Sequence, residues 1–265
     1  MTLPWSDLKA IWDQVLSEMA KNANLPGFRK GKAPKKLIEK NIDKASIREE
    51  VLRRQLPKAY IEAVQKHSIR PIIDPRIHVH NADGQGELSE GKDWVFEAET
   101  AEAPQVDLGN YKDKIKSVTA RSKIVVPGKE TQPPKLEEII APLLESVKVK
   151  IPKVLTAREA DRLLAQSLDE IRKLGLTLDQ YLASTNRTPQ DFRAEYEKRA
   201  ENDLKLEFAL QKVAEEEKIT VSDEDIAKSI AGAKSDVERR EMEANKYLIA
   251  TILRQQKTLD FIKSL

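Results

Sequence analysis

Cysteine is absent from this sequence, which excludes a disulfide framework, thiolate metal sites and thiol catalysis and agrees with a reducing compartment. Histidine occurs 3 times in 265 residues. His78 and His80 would share one face of a predicted strand, but no third ligand accompanies them, so they read as a polar sheet face and no metal is expected. Long apolar runs are missing as well. None approaches the roughly 20 residues that span a bilayer, and Met1 to Ala20 carries Asp7, Asp13 and Glu18 where a signal peptide is uncharged. A cytoplasmic protein without a membrane partner is therefore expected. A phosphate-binding loop is lacking too, since Gly27 to Gly31 is not followed by Gly-Lys-Ser/Thr and Gly84-x-Gly86 suits a hairpin turn. Neither ATP nor another cofactor is implied, and no catalytic residues stand out. His67, near a predicted helix end, reads as a partner of the helix dipole.

Charged residues, by contrast, are plentiful at 34%, with 40% apolar and only 5% aromatic residues, the balance of a helix-rich protein with much surface. Net charge is +2, but its placement matters more than its total. Lys21 to Lys58 hold 12 Lys and Arg against 4 Asp and Glu, whereas Ala59 to Asp107 hold 4 against 10. The first stretch predicts a positive patch suited to an anionic partner such as RNA.

Leu8, Ile11, Trp12, Val15, Leu16 and Met19 recur at helical spacing behind Ser6 and predict an opening amphipathic helix. A second helix is expected from Ser46, with Glu49 completing a capping box and Pro57 inside as a kink. Arg76 to His80 and Trp94 to Glu99 alternate as strands around the turn-rich Asn81 to Gly91, a hairpin on which the helices pack. The predicted fold is an α+β domain over 1–111, a linker over 112–135, and an all-α, extended C-terminal domain with helical arms over 136–265. In that last part Thr188 with Asp191, Ser222 with Asp225 and Ser235 with Glu238 mark helix starts. The runs Pro189 to Lys218 and Asp236 to Lys263 each reach about 40 Å. Their apolar stripes, Phe192, Tyr196, Phe208 and Leu210 on one and Tyr247, Leu248, Ile252, Leu253 and Leu259 on the other, suit either core or an open binding cradle.

The most informative stretch is Asn24-Leu25-Pro26-Gly27-Phe28-Arg29-Lys30-Gly31-Lys32-Ala33-Pro34, between the first two helices. Glycines and prolines allow a tight loop; Arg29 and Lys30 offer charge, and Phe28 a ring that either stacks on a partner or folds back into the core. Gly-Phe-Arg-Lys-Gly-Lys-Ala-Pro resembles the ribosome-docking loop of trigger factors, G-F-R-x-G-x-x-P. The resemblance continues to about Tyr111 and again from Leu136, through Ile151-Pro152, Gly175 to Leu182 and Arg254 to Phe261. It implies an ATP-independent chaperone that docks at the ribosomal exit tunnel and shields nascent polypeptides. Phe28, Arg29, Lys30 and Lys32 would contact an exit-tunnel protein of the large subunit and ribosomal RNA, and Gly27, Gly31 and Pro34 would shape the loop. Unfolded nascent chains would be the other partner, and DNA is not expected. Two departures stand out. Trigger factors usually carry an FKBP-like prolyl isomerase domain in the middle, but no Phe, Trp or Tyr lies between Tyr111 and Tyr181 to line such a pocket, so that domain is expected to be missing and the chain not to be an enzyme. The family's first β-strand also has no room before the opening helix, which leaves the sheet a strand short. Two other readings stay open, a basic RNA-binding or ribosome-assembly module and a trigger factor that retains isomerase activity.

Overall fold

A computed structural model describes residues 1–22, 43–80, 88–122 and 135–265. The chain divides into two compact units, Met1–Ala103 and Pro104–Leu265.

In the first unit β1 (Thr2–Leu3), β3 (Trp94–Glu99) and β2 (Arg76–Val79) form an antiparallel sheet in the order β1-β3-β2. Helices α1 (Trp5–Asn22) and α2 (Lys44–Lys66) cover it. The core joins Leu8, Trp12 and Val15 of α1 to Ile47 and Val51 of α2 and to Trp94 and Phe96 of β3. Trp94 and Phe96 are two apart, so both turn to the same face of the pleat. Trp12 meets Trp94 edge-on at 6.3 Å and Trp5 at 5.7 Å, which gathers all 3 tryptophans of the sequence at one end of the sheet.

Two expectations are corrected here. The sheet is not short of a strand before the opening helix, since Thr2 and Leu3 already pair with Val95 and Trp94; two residues are too few for periodicity to reveal. The cap of α2 is Asp43, whose carboxylate accepts from the Ala45 amide at 3.0 Å, and not Ser46, whose hydroxyl itself bonds to Asp43 at 3.3 Å. A carboxylate accepts at a helix start as well as a hydroxyl does, and it stands three residues earlier. Pro57 lies within the uninterrupted span of α2.

The second unit holds β4 (Val106–Asp107), α3 (Tyr111–Ser122), α4 (Leu136–Ser146), β5 (Lys148–Val149), α5 (Lys153–Lys173), α6 (Leu178–Thr185), α7 (Pro189–Glu216), α8 (Asp223–Ala231), α9 (Asp236–Ala244) and α10 (Lys246–Ser264). The linker reading over 112–135 is corrected by α3, and the boundary moves to between Ala103 and Pro104. Leu108, Tyr111 and Ile115 are buried against Ile139 and Leu143 of α4, Val213 of α7 and Ile262 of α10. Those apolar positions are too few, among lysines and serines, to stand out as a stripe. Residues 123–134, the rest of that linker, lie outside the described residues. A short β4–β5 ladder, Val106 opposite Val149, adds a strand pair to a part expected to be wholly helical. Gly109 is required at the entry to α3: its φ is +56° and a Cβ there would come within 2.9 Å of the Ser146 carbonyl oxygen.

α5 and α7 run antiparallel, with Ala160 and Leu163 against Ala200 and, further along, Ile171 against Leu182 and Phe192. Alanines at the first contact let the backbones approach. The Tyr196 hydroxyl bridges the pair to the Ser167 hydroxyl at 2.8 Å. The capping boxes at Thr188/Asp191 and Ser222/Asp225 form as expected, whereas the long helix expected from Asp236 breaks at Asn245 into α9 and α10.

Candidate functional site

Gly27, Phe28, Arg29, Lys30, Gly31, Lys32 and Pro34 lie outside the described residues. Their frame is described: α1 ends at Asn22 and α2 begins at Lys44. Arg54 is clamped at this frame, donating to Glu18 at 2.7 Å and to Glu50 at 2.7 Å. Its own hydrogen bond to Arg54 holds the Glu18 carboxylate below the ordinary range, and the reciprocal bonds raise the guanidinium of Arg54. Arg53 pairs with Glu50 and Lys44 with Glu90, and Arg48 donates to the Leu88 carbonyl. Much of the cationic excess counted over the start of α2 is thus already engaged. Lys21 and Lys58 form no ion pair among the described residues and keep their charge available to an anion.

The second candidate surface lies on α8, α9 and α10. Three bonds fasten the start of α8 to α10: Arg254 donates to the Ile219 carbonyl at 3.0 Å, Lys257 to the Thr220 carbonyl at 3.4 Å, and Lys257 pairs with Asp225. The Lys257 ammonium, and then Ser222, hold the Asp225 carboxyl well below the usual carboxylate range. Below this anchor α10 enters the core through Thr258 and Ile262. Above it Tyr247, Leu248 and Ile252 are 87%, 56% and 50% exposed, and Val237 of α9 is 67% exposed. A groove of about 810 Å³ lies between α8, α9 and the start of α10, lined by Ile226, Ala227 and Ile230 with Arg239 and Lys246 among its polar residues. No residue of α9 is buried.

The two stripes left open by the sequence are thereby separated. Phe192, Phe208 and Leu210 are core at 3%, 9% and 6% exposure, and Tyr196, Leu253 and Leu259 are half-buried, whereas Tyr247, Leu248 and Ile252 face outward. Apolar side chains on a fastened but uncovered helix can hold apolar segments of varied sequence. Sequence reasoning missed the exposed Val237, which a lone valine in a charged helix does not announce.

Tyr111, Lys112 and Glu217 make a third polar cluster. The Tyr111 hydroxyl donates to Glu217 at 3.2 Å, and Lys112 pairs with the same carboxylate. Burial first, and the Glu217 charge second, push the Tyr111 hydroxyl far above its ordinary range; Lys112 lowers the Glu217 carboxyl. Its geometry ties α3 to the end of α7 and reads as structural. His78 and His80 are exposed and His67 caps the end of α2. Among the described residues no three His, Asp or Glu side chains gather as metal ligands, and no helix is long and apolar enough to cross a membrane.

Comparison with known proteins gives these parts a context. The family described as bacterial trigger factor protein matches residues 1–130, and its C-terminal part matches residues 128–264. The matches meet without a stretch left between them for a further domain. Trigger factors of Staphylococcus epidermidis and Staphylococcus aureus are each 33% identical over 112 residues, which is 42% of this chain and 24% of theirs. The matched stretch of this chain therefore spans about a quarter of the length of those relatives. A solved structure from work on promiscuous substrate recognition in folding and assembly by the trigger factor chaperone superposes with a TM-score of 0.61 at 13% identity, covering 100% of this chain and 95% of that one. The fold is shared, the family matches together run through nearly the whole sequence, and the chain belongs to the trigger factor family.

Proposed function

We propose that this chain is a cytoplasmic, ATP-independent chaperone that docks on the large ribosomal subunit at the tunnel exit and holds emerging, unfolded polypeptide. Holding is assigned to the outward face of α9 and α10. The observation that carries it is the exposure of Tyr247 at 87%, with Leu248 at 56% and Ile252 at 50% on the same helix turn and the next. Docking is assigned to Gly27, Phe28, Arg29, Lys30, Gly31, Lys32 and Pro34, with contacts to ribosomal RNA and an exit-tunnel protein. Phe28 would supply an apolar anchor, and Arg29 and Lys30 charge-assisted contacts. Without an isomerase domain, no acceleration of prolyl isomerisation is expected.

The test has two arms on the full chain. Light scattering of a chemically unfolded client should stay low with the wild type and rise with Tyr247→Ser, Leu248→Ser and Ile252→Ser combined. Co-sedimentation with ribosomes should be lost when Phe28, Arg29 and Lys30 are replaced together by alanine, and should weaken as salt rises because phosphate contacts release counterions. Undiminished pelleting of that variant at equal helicity would remove the loop from the docking role; pelleting with no effect on client aggregation would favour an RNA-binding or assembly module.

A further inference from the structure

The helices on either side of the groove between α8 and α9 are held differently. Arg254 and Lys257 of α10 donate to the carbonyls of Ile219 and Thr220, and Lys257 also pairs with Asp225, so α8 is fixed at its start; Ile230 is buried near its end. α9 has no such tie. The Lys234 amide donates to the Glu238 carboxylate at 2.7 Å, the Ser235 hydroxyl accepts from the Glu238 amide at 3.1 Å, Arg239 pairs with Asp236 at 3.5 Å, and the Asn245 side-chain amide donates to the Glu241 carbonyl at 2.9 Å. All of these close within residues 234–245. Among the described residues no side-chain bond joins α9 to α8 or α10. With 9 residues and no buried side chain, α9 is also shorter than the roughly 12–15 residues below which an isolated helix is marginal in water.

The walls differ in chemistry as well. On α8 Ile226 and Ile230, and Ala227 and Ala231, recur four apart and line the groove, forming one apolar face; Ala227 and Ala231 are exposed. α9 turns Arg239 and Glu243 toward this face, while its Val237 is exposed. Two long charged side chains opposite an apolar stripe do not pack as core. They can instead lay their aliphatic stems along an apolar guest and keep their charged ends in water. Asp223 and Lys246 are the other charged residues of the lining, so two anions face two cations and the groove draws neither a polyanion nor a polycation. Each helix has 9 residues, about 13 Å at 1.5 Å per residue. Such a seat takes one short segment and is too small for the surface that stable pairing of folded partners buries.

We propose that α8 and α9 act as a fixed and a movable jaw on an uncharged apolar segment of polypeptide. α8 supplies the apolar seat. α9 shifts about Gly232 and Ala233 at one end and Asn245 at the other, and so sets the width. No interior contact of α9 is broken when it moves, so the adjustment costs little, and guests whose side chains differ in size are accepted. That the guest is a segment of an unfolded client rests on the chaperone reading above.

The sequence contains no cysteine, so Asp223→Cys with Glu243→Cys, one on each wall, gives a unique pair for cross-linking in the full chain. Fluorescence anisotropy follows binding of an end-blocked, fluorescein-labelled peptide of alternating leucine and alanine between Gly-Ser ends. Saturable binding by the wild type is expected, weakened at least about tenfold by Ala227→Glu with Ala231→Glu, which puts charge on the apolar seat without removing packed volume. In the double-cysteine protein a short bis-maleimide bridge should weaken binding relative to the unbridged protein, and a long flexible bridge should restore it. No binding by the wild type, binding indifferent to the two glutamates, or equal binding under short and long bridges overturns the proposal. So does a dimer in sedimentation that the glutamates split, since the groove would then seat a second copy. Should the glutamates unfold the protein, the two bridges give the same reading. Light scattering with the Tyr247, Leu248 and Ile252 variant is read separately, so the jaw and the chaperone reading can fail independently.

Discussion

Phe192, Phe208 and Leu210 on α7 expose 3%, 9% and 6% of their surface, whereas Tyr247, Leu248 and Ile252 on α10 expose 87%, 56% and 50%, although both helices carry apolar residues at helical spacing. The difference lies in what stands opposite. α7 has α5 along its first half and the α3–α4–α10 core at its far end. The first half of α10 follows α9, which buries nothing. A stripe becomes core only if another element covers it, and hydropathy along one helix holds no information about the second.

The sharpest test of that contrast is truncation on each helix. Phe192→Ala should cost about 3–5 kcal/mol in urea denaturation, as loss of a packed aromatic does, while Tyr247→Ala should stay within about 0.5 kcal/mol as an exposed change. An equal loss from Tyr247→Ala would mean that its stripe is covered in solution. Next in size are the caps. Thr188 accepts from the Asp191 amide at 3.1 Å, and Thr188→Ala should cost about 1 kcal/mol. Asn245 makes no side-chain cap at the start of α10, so Asn245→Ala should cost clearly less in the same assay.

The smallest expected effect depends on pH. The folded-state pKa of Asp225 is depressed, chiefly by Lys257, so its contribution is complete above the ordinary carboxylate range near ~4 and fades as pH falls through and below it. Asp225→Asn should lower the thermal midpoint at pH 7. The gap to the wild type should narrow as pH approaches 3, because the wild-type carboxylate is then losing its advantage too. A gap that stays constant with pH would show that the anchor between α8 and α10 acts through shape instead of charge.

Elements with strong local signals were legible. The capping boxes at Thr188 and Ser222 and the strands from Arg76 and Trp94 sit where residue chemistry placed them. What escaped depends on distant partners. Tyr111 and Ile115 look like part of a polar connection until Leu143 and Val213 stand against them. Asn245 interrupts a helix without proline or glycine, and β1 is visible only through Val95. Of the proposed functional surfaces, the Gly27 to Pro34 stretch was legible as a motif and lies outside the described residues, and the outward stripe was legible as apolar but not as uncovered.

Helix α9 buries none of its side chains. A helix held by exposed caps at Ser235 and Asn245 and by no buried side chain can come away without opening the core, so its unfolding is decoupled from that of the rest. Trypsin should cut after Arg239 or Arg240 at a rate that low denaturant barely changes, while the fragments remain associated through the α3, α4, α7 and α10 core. Limited proteolysis would thus nick the molecule beside its most apolar outward face and leave its fold standing.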